Sequence, residues 1–104
     1  MTVFLLEKDG TLAVKKRADQ GLLAGLWEFP NCDGWLTKEE TASHLKNTGL
    51  SVRDISAMPD ATHVFTHIEW KMRVYRAECI NDSGDFVWAG QEELVLPTAF
   101  KKLI

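Results

Sequence analysis

Two histidines, a phenylalanine and a hydroxyl lie close together within residues 62–72, whose sequence is THVFTHIEWKM. On a strand, His63 and His67 would share one face, and imidazole nitrogen is a common zinc ligand. A protein zinc site needs three or four ligands, and only the distant Cys32 or Cys79 could complete this one. The spacing argues against a metal site, and we predict none in this chain.

The second half of the same stretch has the pattern of a half-buried strand. Ile68, Trp70 and Met72 alternate with charged residues, which is the period of a strand with one apolar face. We predict that these three side chains form the buried face. Taken alone, Phe65 and Thr66 have ordinary interpretations, a core aromatic residue and a β-forming residue.

Short-range signals predict a hairpin and a helix upstream of this stretch. Residues 2–8 and 11–17 are β-forming runs separated by Asp9-Gly10, which is a strong hairpin signal. Thr37 with Glu40 three residues later fits a capping box at the start of a helix. We expect Gly49 to end that helix, and Ala42, Leu45 and Thr48 to form its inner face.

The other elements complete an α+β pattern. We expect strands near residues 26–29, 50–58, 68–77 and 86–88, a turn at Pro59-Asp60, a hairpin loop at 81–84 and a closing helical turn at 98–104. Strands joined mainly by short connections predict a mostly antiparallel sheet flanked by helices. Residues 1–104 are expected to form a single domain.

Composition limits the classes of function. The chain has 104 residues, 45% of them hydrophobic, and a formal net charge of −3, which together indicate one globular domain and exclude tight, independent binding to nucleic acid. Cys32 and Cys79 are too few and too far apart for a disulfide framework, which favours reduced thiols in the cytoplasm. The apolar run at residues 3–6 is too short for a membrane span, so we predict no membrane association. We also expect a cytoplasmic monomer.

Three segments carry a family resemblance. GLLAGLWEFP at residues 21–30, HVFTH at 63–67 and LPTAFKKLI at 96–104 resemble, in this order, the C-terminal domain of the MutY family of adenine DNA glycosylases. The resemblance implies a Nudix-like fold and a role in base-excision DNA repair. It implies recognition of 8-oxoguanine opposite misincorporated adenine in double-stranded DNA, and therefore association with the nucleoid through DNA. The adenine would be removed by a catalytic domain of the same polypeptide, outside this chain, where a four-cysteine iron–sulfur cluster is expected.

The resemblance also suggests which residues would contact the lesion. Thr66 lies where the family has Ser or Thr, and a hydroxyl can accept from the N7–H of 8-oxoguanine and donate to its O8. Phe65 would supply an apolar wedge or stacking face, and His67 a polar contact to base or phosphate. Basic side chains at Arg17, Lys71 and Arg73 are secondary DNA-binding candidates, with a solvated strand face as the ordinary interpretation.

The catalytic carboxylates of Nudix hydrolases are missing from the expected place. Counting back from Gly49, the two adjacent metal-binding glutamates of the Nudix signature would fall at Lys46 and Asn47. Neither side chain offers Mg²⁺ the carboxylate oxygens that it prefers. We therefore predict no catalytic residues in this chain. Two alternatives stay open, a hydrolase of oxidised nucleotides such as 8-oxo-dGTP and a protein-interaction module.

Overall fold

The computed structural model describes residues 1–19, 23–65, 67–81, 86–90 and 95–104. These residues form seven strands and two helices. The elements are β1 (Thr2–Lys8), β2 (Thr11–Lys16), β3 (Trp27–Glu28), β4 (Asn31–Cys32), α1 (Lys38–Asn47), β5 (Val52–Phe65), β6 (Ile68–Cys79), β7 (Val87–Ala89) and α2 (Thr98–Lys101). Neither described helix is long and apolar enough to cross a membrane.

The sheet is mixed and mostly antiparallel, as expected for an α+β Nudix-like domain. Its main strand order is β3-β2-β1-β6-β5, with β4 paired to β1 and β7 paired to β2. Only β1 and β6 run parallel among the described pairs, with Leu5 opposite Arg76. Because β1 is paired on both sides, it occupies the centre of the domain.

Both faces of the sheet are buried along β1. Val3 and Leu5 join a cluster that includes Phe29, Met72 and Phe100 on the face that α2 covers. The alternate residues, Phe4 and Leu6, join a second cluster with Leu45 of α1 on the opposite face. Because successive side chains of a strand point to opposite faces, one core cluster packs against each helix. We refer to these as the α2 face and the α1 face.

The predicted hairpin and helix ends are confirmed. Asp9 and Gly10 both have positive φ, 51° and 77°, as a type I′ turn between β1 and β2 requires. Thr37 Oγ1 accepts from the Glu40 backbone N–H, and the Glu40 carboxylate accepts from the Thr37 N–H, which completes the capping box. At the other end, Gly49 has a φ of 87° and its N–H donates to the Lys46 carbonyl, so a glycine closes the helix.

The inner face of α1 differs from the predicted one. Thr41 and Leu45 are its buried residues, whereas Thr48 is the exposed C-cap. Ala42 is half buried, and the prediction was wrong at Thr48 because this residue forms the C-terminal cap, where its hydroxyl donates to the Leu45 carbonyl.

The predicted turn at Pro59-Asp60 is also wrong. Both residues lie inside the continuous strand β5, where the pairing register with β6 shifts between Met58 and Ala61. Proline lacks a backbone N–H, and a bulge in an edge strand accommodates that loss without breaking the strand. The same long hairpin leaves Ile68 half exposed, so only Trp70 and Met72 of the predicted apolar face pack against the core.

The C-terminal elements follow the predictions as far as they are described. The short strand expected at residues 86–88 is β7, and α2 forms directly after Pro97. Most of the hairpin loop predicted at 81–84 lies outside the described residues.

Candidate nucleic-acid interface

Residues 62–65 of β5 and 67–72, most of them in β6, form the end of the β5–β6 hairpin. Phe65 pairs with Ile68 and His63 with Trp70, so residues 66 and 67 connect the two strands. Thr66, the predicted lesion contact, lies outside the described residues. Pairing of β6 with β1 begins at Arg73, five residues after Ile68. The hairpin therefore extends about 16 Å past the start of the central strand, at 3.3 Å per residue.

One face of this projecting hairpin is aromatic. The Phe65 ring meets His63 and Trp70 edge to face, with centroids 4.7 and 4.9 Å away. Trp70 packs at 5.6 Å on Phe100, which meets Phe29 at 6.3 Å in the core. Edge-to-face pairs of this kind are favourable beyond their buried area. This aromatic ladder (His63, Phe65, Trp70, Phe100 and Phe29) connects the hairpin end to the α2-face core.

The hairpin end is apolar and accessible. Val64 is 64% exposed and Ile68 is 50% exposed, whereas Phe65 is partly buried by its aromatic neighbours. His67 is exposed. The structure thus places Phe65 and His67 at the tip, where Val64 and Ile68 are not covered by the described part of the chain.

Arg17 contacts the middle of the ladder, at Trp70. Its Nη1 donates to the Glu28 carboxylate at 2.7 Å, and its guanidinium stacks 4.9 Å from the centroid of the Trp70 ring. Glu28 is only 6% exposed and also accepts from Asn31 Nδ2 at 2.7 Å. A buried carboxylate needs such partners. The contacts of Arg17 therefore support the hairpin from within the fold.

Lys71 and Arg73 point to the α1 face, since they alternate with Trp70 and Met72 on β6. The Lys71 side chain is 73% exposed and lies 3.8 Å from the Glu69 carboxylate. The Arg73 guanidinium stacks on the rings of Trp35 and Tyr75, 5.7 and 5.6 Å from their centroids. Lys71 thus carries an exposed ammonium group, whereas the Arg73 guanidinium is engaged by two aromatic rings.

A small polar cleft lies where β1 begins and the hairpin continues past it. Its volume is about 290 Å³, and its lining residues include Arg17, Asn31, Trp70 and Lys71. The cleft brings Arg17 and Lys71 to the same surface.

A wider groove of about 630 Å³ follows α1, lined in part by Leu36, Glu39, Glu40 and His44. The hydrogen bond from the Thr37 backbone, followed by that from its side chain, lowers the pKa of Glu40. Glu40 is thereby engaged in capping the helix. Across the described residues, no group of three or more His, Cys, Asp or Glu side chains is placed to hold a metal ion.

Two contacts that position the hairpin were not predicted. Phe100 supports Trp70 from thirty residues further along the chain, and Lys102 Nζ donates to the Thr62 carbonyl on β5. The available signal was the LPTAFKKLI segment at residues 96–104, whose resemblance was noted but whose packing partners the sequence does not specify.

Comparison with known proteins places this geometry in a family. The chain is 28% identical over 101 residues to an adenine DNA glycosylase of Schizosaccharomyces pombe, which covers 84% of the chain but 22% of that protein. The chain therefore spans about a fifth of the length of this curated relative.

Two solved structures share the fold. The C-terminal domain of mouse MUTYH, crystallised in complex with human PCNA, superimposes with a TM-score of 0.75 and 22% identity, covering 98% of this chain and 81% of that one. A Nudix hydrolase from M. smegmatis, RenU, gives a TM-score of 0.56 and 18% identity, covering 96% and 77%. Residues 2–104, nearly the whole sequence, match the NUDIX domain. The chain belongs to the NUDIX domain family.

Proposed function

We propose that this chain is the lesion-reading domain of an adenine DNA glycosylase acting in base-excision repair. In this proposal the hairpin end, residues 65–67, contacts 8-oxoguanine opposite a misincorporated adenine in double-stranded DNA. Adenine removal belongs to a catalytic domain of the same polypeptide, in which the expected iron–sulfur cluster would also lie. The similarity to the fission-yeast adenine DNA glycosylase supports this assignment.

The observation that carries the proposal is the supported aromatic tip. Phe65 projects with the hairpin, yet two edge-to-face contacts fix its ring, 4.7 Å from His63 and 4.9 Å from Trp70. A side chain that enters a base stack must hold a fixed orientation, because unstacking the bases already costs free energy. A side chain already held in place loses little conformational entropy on binding. Phe65 therefore suits insertion or stacking better than a phenylalanine on an unsupported loop.

The chemistry of the lesion suggests how the neighbouring hydroxyl would discriminate. Oxidation of guanine replaces the N7 acceptor with an N7–H donor and adds an oxygen at C8. A threonine hydroxyl has one donor and two acceptor lone pairs, so Thr66 could satisfy both new groups. An unsatisfied polar group opposite undamaged guanine would cost about 1–3 kcal/mol, equivalent to roughly ten- to hundredfold discrimination.

The helix that holds the catalytic glutamates in Nudix hydrolases carries other groups here. Lys46 and Asn47 occupy the last turn of α1 and are exposed, and the nearby Glu40 is engaged by Thr37. An ammonium and an amide in these positions favour a reading function over diphosphate hydrolysis. We accordingly expect no formation of 8-oxo-dGMP and pyrophosphate when the purified chain is incubated with 8-oxo-dGTP and Mg²⁺.

The decisive experiment uses the whole polypeptide, with this domain joined to its catalytic domain. We expect Phe65→Ala and Thr66→Ala to reduce the preference for removing adenine opposite 8-oxoguanine over adenine opposite guanine by roughly ten- to hundredfold. Single-turnover rates on the two duplexes measure that ratio. Ile80→Ala is the matched control, because Ile80 is 58% exposed and follows the far end of β6. Unchanged preference in both tip variants would show that the tip assignment is wrong.

A further inference from the structure

Two lysines meet the β5–β6 hairpin at the same level. Lys71 is the register partner of Thr62 across the two strands. Lys102, which follows α2, donates from its Nζ to the Thr62 carbonyl. Lys71 therefore extends from β6, and the Lys102 ammonium group is hydrogen-bonded to β5, both beside the Thr62–Lys71 pair. The sequence positions of these lysines, thirty-one residues apart, give no hint of this proximity.

The level of Thr62 matches the depth of a DNA groove. Thr62 precedes Phe65 by three residues, which is about 10 Å along a strand. The grooves of B-DNA are about 7.5–8.5 Å deep. If Phe65 reaches a base at the floor of a groove, the surface beside Thr62 arrives at the height of the sugar–phosphate backbones. The Lys71 backbone and the Lys102 ammonium group lie beside Thr62, so both side chains can reach phosphates at that height.

Both lysines are available for such contacts. The Lys71 side chain is 73% exposed, and its only described ionic neighbour is Glu69, 3.8 Å away and itself half exposed. A solvated pair of this kind contributes little and is easily exchanged. Lys102 is exposed as well, and its ammonium has three donors, of which the Thr62 carbonyl takes one.

The position of Lys102 is set by the core. Phe100, two residues earlier, is fully buried and packs on Trp70 and Phe29. The Lys102 backbone N–H donates to the Thr98 carbonyl at 3.2 Å, which closes the end of α2. The aromatic ladder that supports the tip therefore also fixes the segment that carries this ammonium group.

We propose that Lys71 and Lys102 form a phosphate clamp, binding backbone phosphates of duplex DNA on either side of the inserted hairpin. The inference rests on the proposed function, because the lysines reach the phosphates only if Phe65 enters a groove. A lysine binds phosphate as a point charge and carries no sequence information. The clamp would hold the hairpin on damaged and undamaged duplex alike, and Phe65 and Thr66 would supply the discrimination.

The test measures how the affinity of the purified chain for an undamaged duplex depends on salt concentration. NMR titrations that reach millimolar DNA give the affinity at each salt concentration. Each phosphate contact contributes about −0.9 to the slope of log K against log salt. We expect Lys71→Gln and Lys102→Gln each to make the slope shallower by about 0.9, and Lys102→Arg to restore it. The matched control is Lys46→Gln, which changes the net charge equally but lies with Val52 and Ile55 at the opposite end of β5.

The outcomes separate the clamp from the reading tip. Unchanged slopes in both glutamine variants, an equal loss in the Lys46 variant, or no binding at millimolar duplex would each overturn the clamp. If the clamp fails while Phe65→Ala in the whole polypeptide still lowers lesion preference, the reading tip stands without it. If the slopes fall as expected while lesion preference survives Phe65→Ala, the lysines bind phosphate but the tip does not read the lesion.

Discussion

Phe65 at the hairpin end and Trp70 on the neighbouring strand pack edge to face, with ring centroids 4.9 Å apart and planes at 70°. Trp70 in turn contacts the buried ring of Phe100. Core packing therefore supports the orientation of the Phe65 ring at the hairpin end. A change in the middle of the ladder should affect both stability and the tip, whereas a change at its end should affect the tip alone.

Removing the middle of the ladder should destabilise the domain. Trp70→Ala removes a half-buried ring, its contacts with Phe65 and Phe100, and the cation–π contact with Arg17. We expect a loss of about 2–4 kcal/mol in the free energy of unfolding, somewhat below the cost for a fully buried tryptophan. Urea denaturation, with the slope checked for constancy, measures it.

The control is a tryptophan outside the ladder. Trp35 is 47% exposed and has a cation–π contact with Arg73, so Trp35→Ala should cost about 1 kcal/mol or less. Phe65→Ala should also be mild, because its ring lies at the exposed end of the ladder. Equal destabilisation by the Trp35 and Trp70 substitutions would contradict the supporting role of the ladder.

Local signals in the sequence were sufficient for the local structure. Asp9-Gly10 predicted the first hairpin and Thr37 with Glu40 the start of α1, since both depend on residues within one turn of each other. The Pro59-Asp60 turn was mispredicted for a tertiary reason. A bulge on an edge strand absorbs a proline that would otherwise end the strand, and edge position depends on the whole sheet.

The buried face of the hairpin was partly predictable from the sequence, but the tertiary contacts that support the hairpin were not. The alternation of residues 68–72 correctly assigned Trp70 and Met72 to the buried face. It misassigned Ile68, because periodicity does not show where a hairpin leaves the body of the domain. The partners Phe100 and Lys102 come from a distant helix, and no local pattern encodes such a contact. Arg17 was a DNA-binding candidate because of its charge. In the structure its guanidinium contacts Glu28 and Trp70.

The contacts of Arg17 predict a structural phenotype. Arg17→Met leaves the Glu28 carboxylate, 6% exposed, without its cationic partner. We expect a loss of about 2–4 kcal/mol in the free energy of unfolding, less than for a fully buried pair because the arginine side chain is 21% exposed. Glu28→Gln keeps an acceptor for Asn31 and removes the unpaired charge. The double variant should therefore lose clearly less than the sum of the two single losses, and additive losses would argue against the ion pair.

The capping box predicts an acid-sensitive contribution to stability. Hydrogen bonding from the Thr37 backbone, and then from its side chain, lowers the pKa of Glu40 from its ordinary value of 4.5. Because the folded pKa lies below the unfolded one, this contribution is fully present above pH 4.5 and is lost as the pH falls through the lowered value.

Glu40→Gln should flatten the decline of stability below that pH. It should change stability little at pH 7, since glutamine also fits a capping box. Unfolding free energies measured from pH 7 to 3 test this, with the neighbouring Glu39→Gln as control. The Arg53 partner lowers the pKa of Glu78 in both variants alike, so the difference between them isolates the cap. An identical pH profile in the two variants would contradict the role of Glu40.

The two thiols should react in a fixed order. Burial raises the pKa of the Cys79 thiol to about 11, with Lys8 acting weakly in the opposite direction, and Cys79 is 3% exposed. At pH 8 only about one Cys79 in a thousand would be a thiolate, and its sulfur is also shielded from reagents. Cys32 is half buried, and burial raises its pKa as well, followed by the charge of Asp33.

We expect iodoacetamide to modify Cys32 slowly in the native domain and Cys79 only through unfolding. The Cys79 rate should therefore increase with urea in parallel with the unfolded fraction, as peptide mass spectrometry can follow. Rapid modification of Cys79 in native buffer, at a rate comparable with Cys32, would show that β6 opens locally.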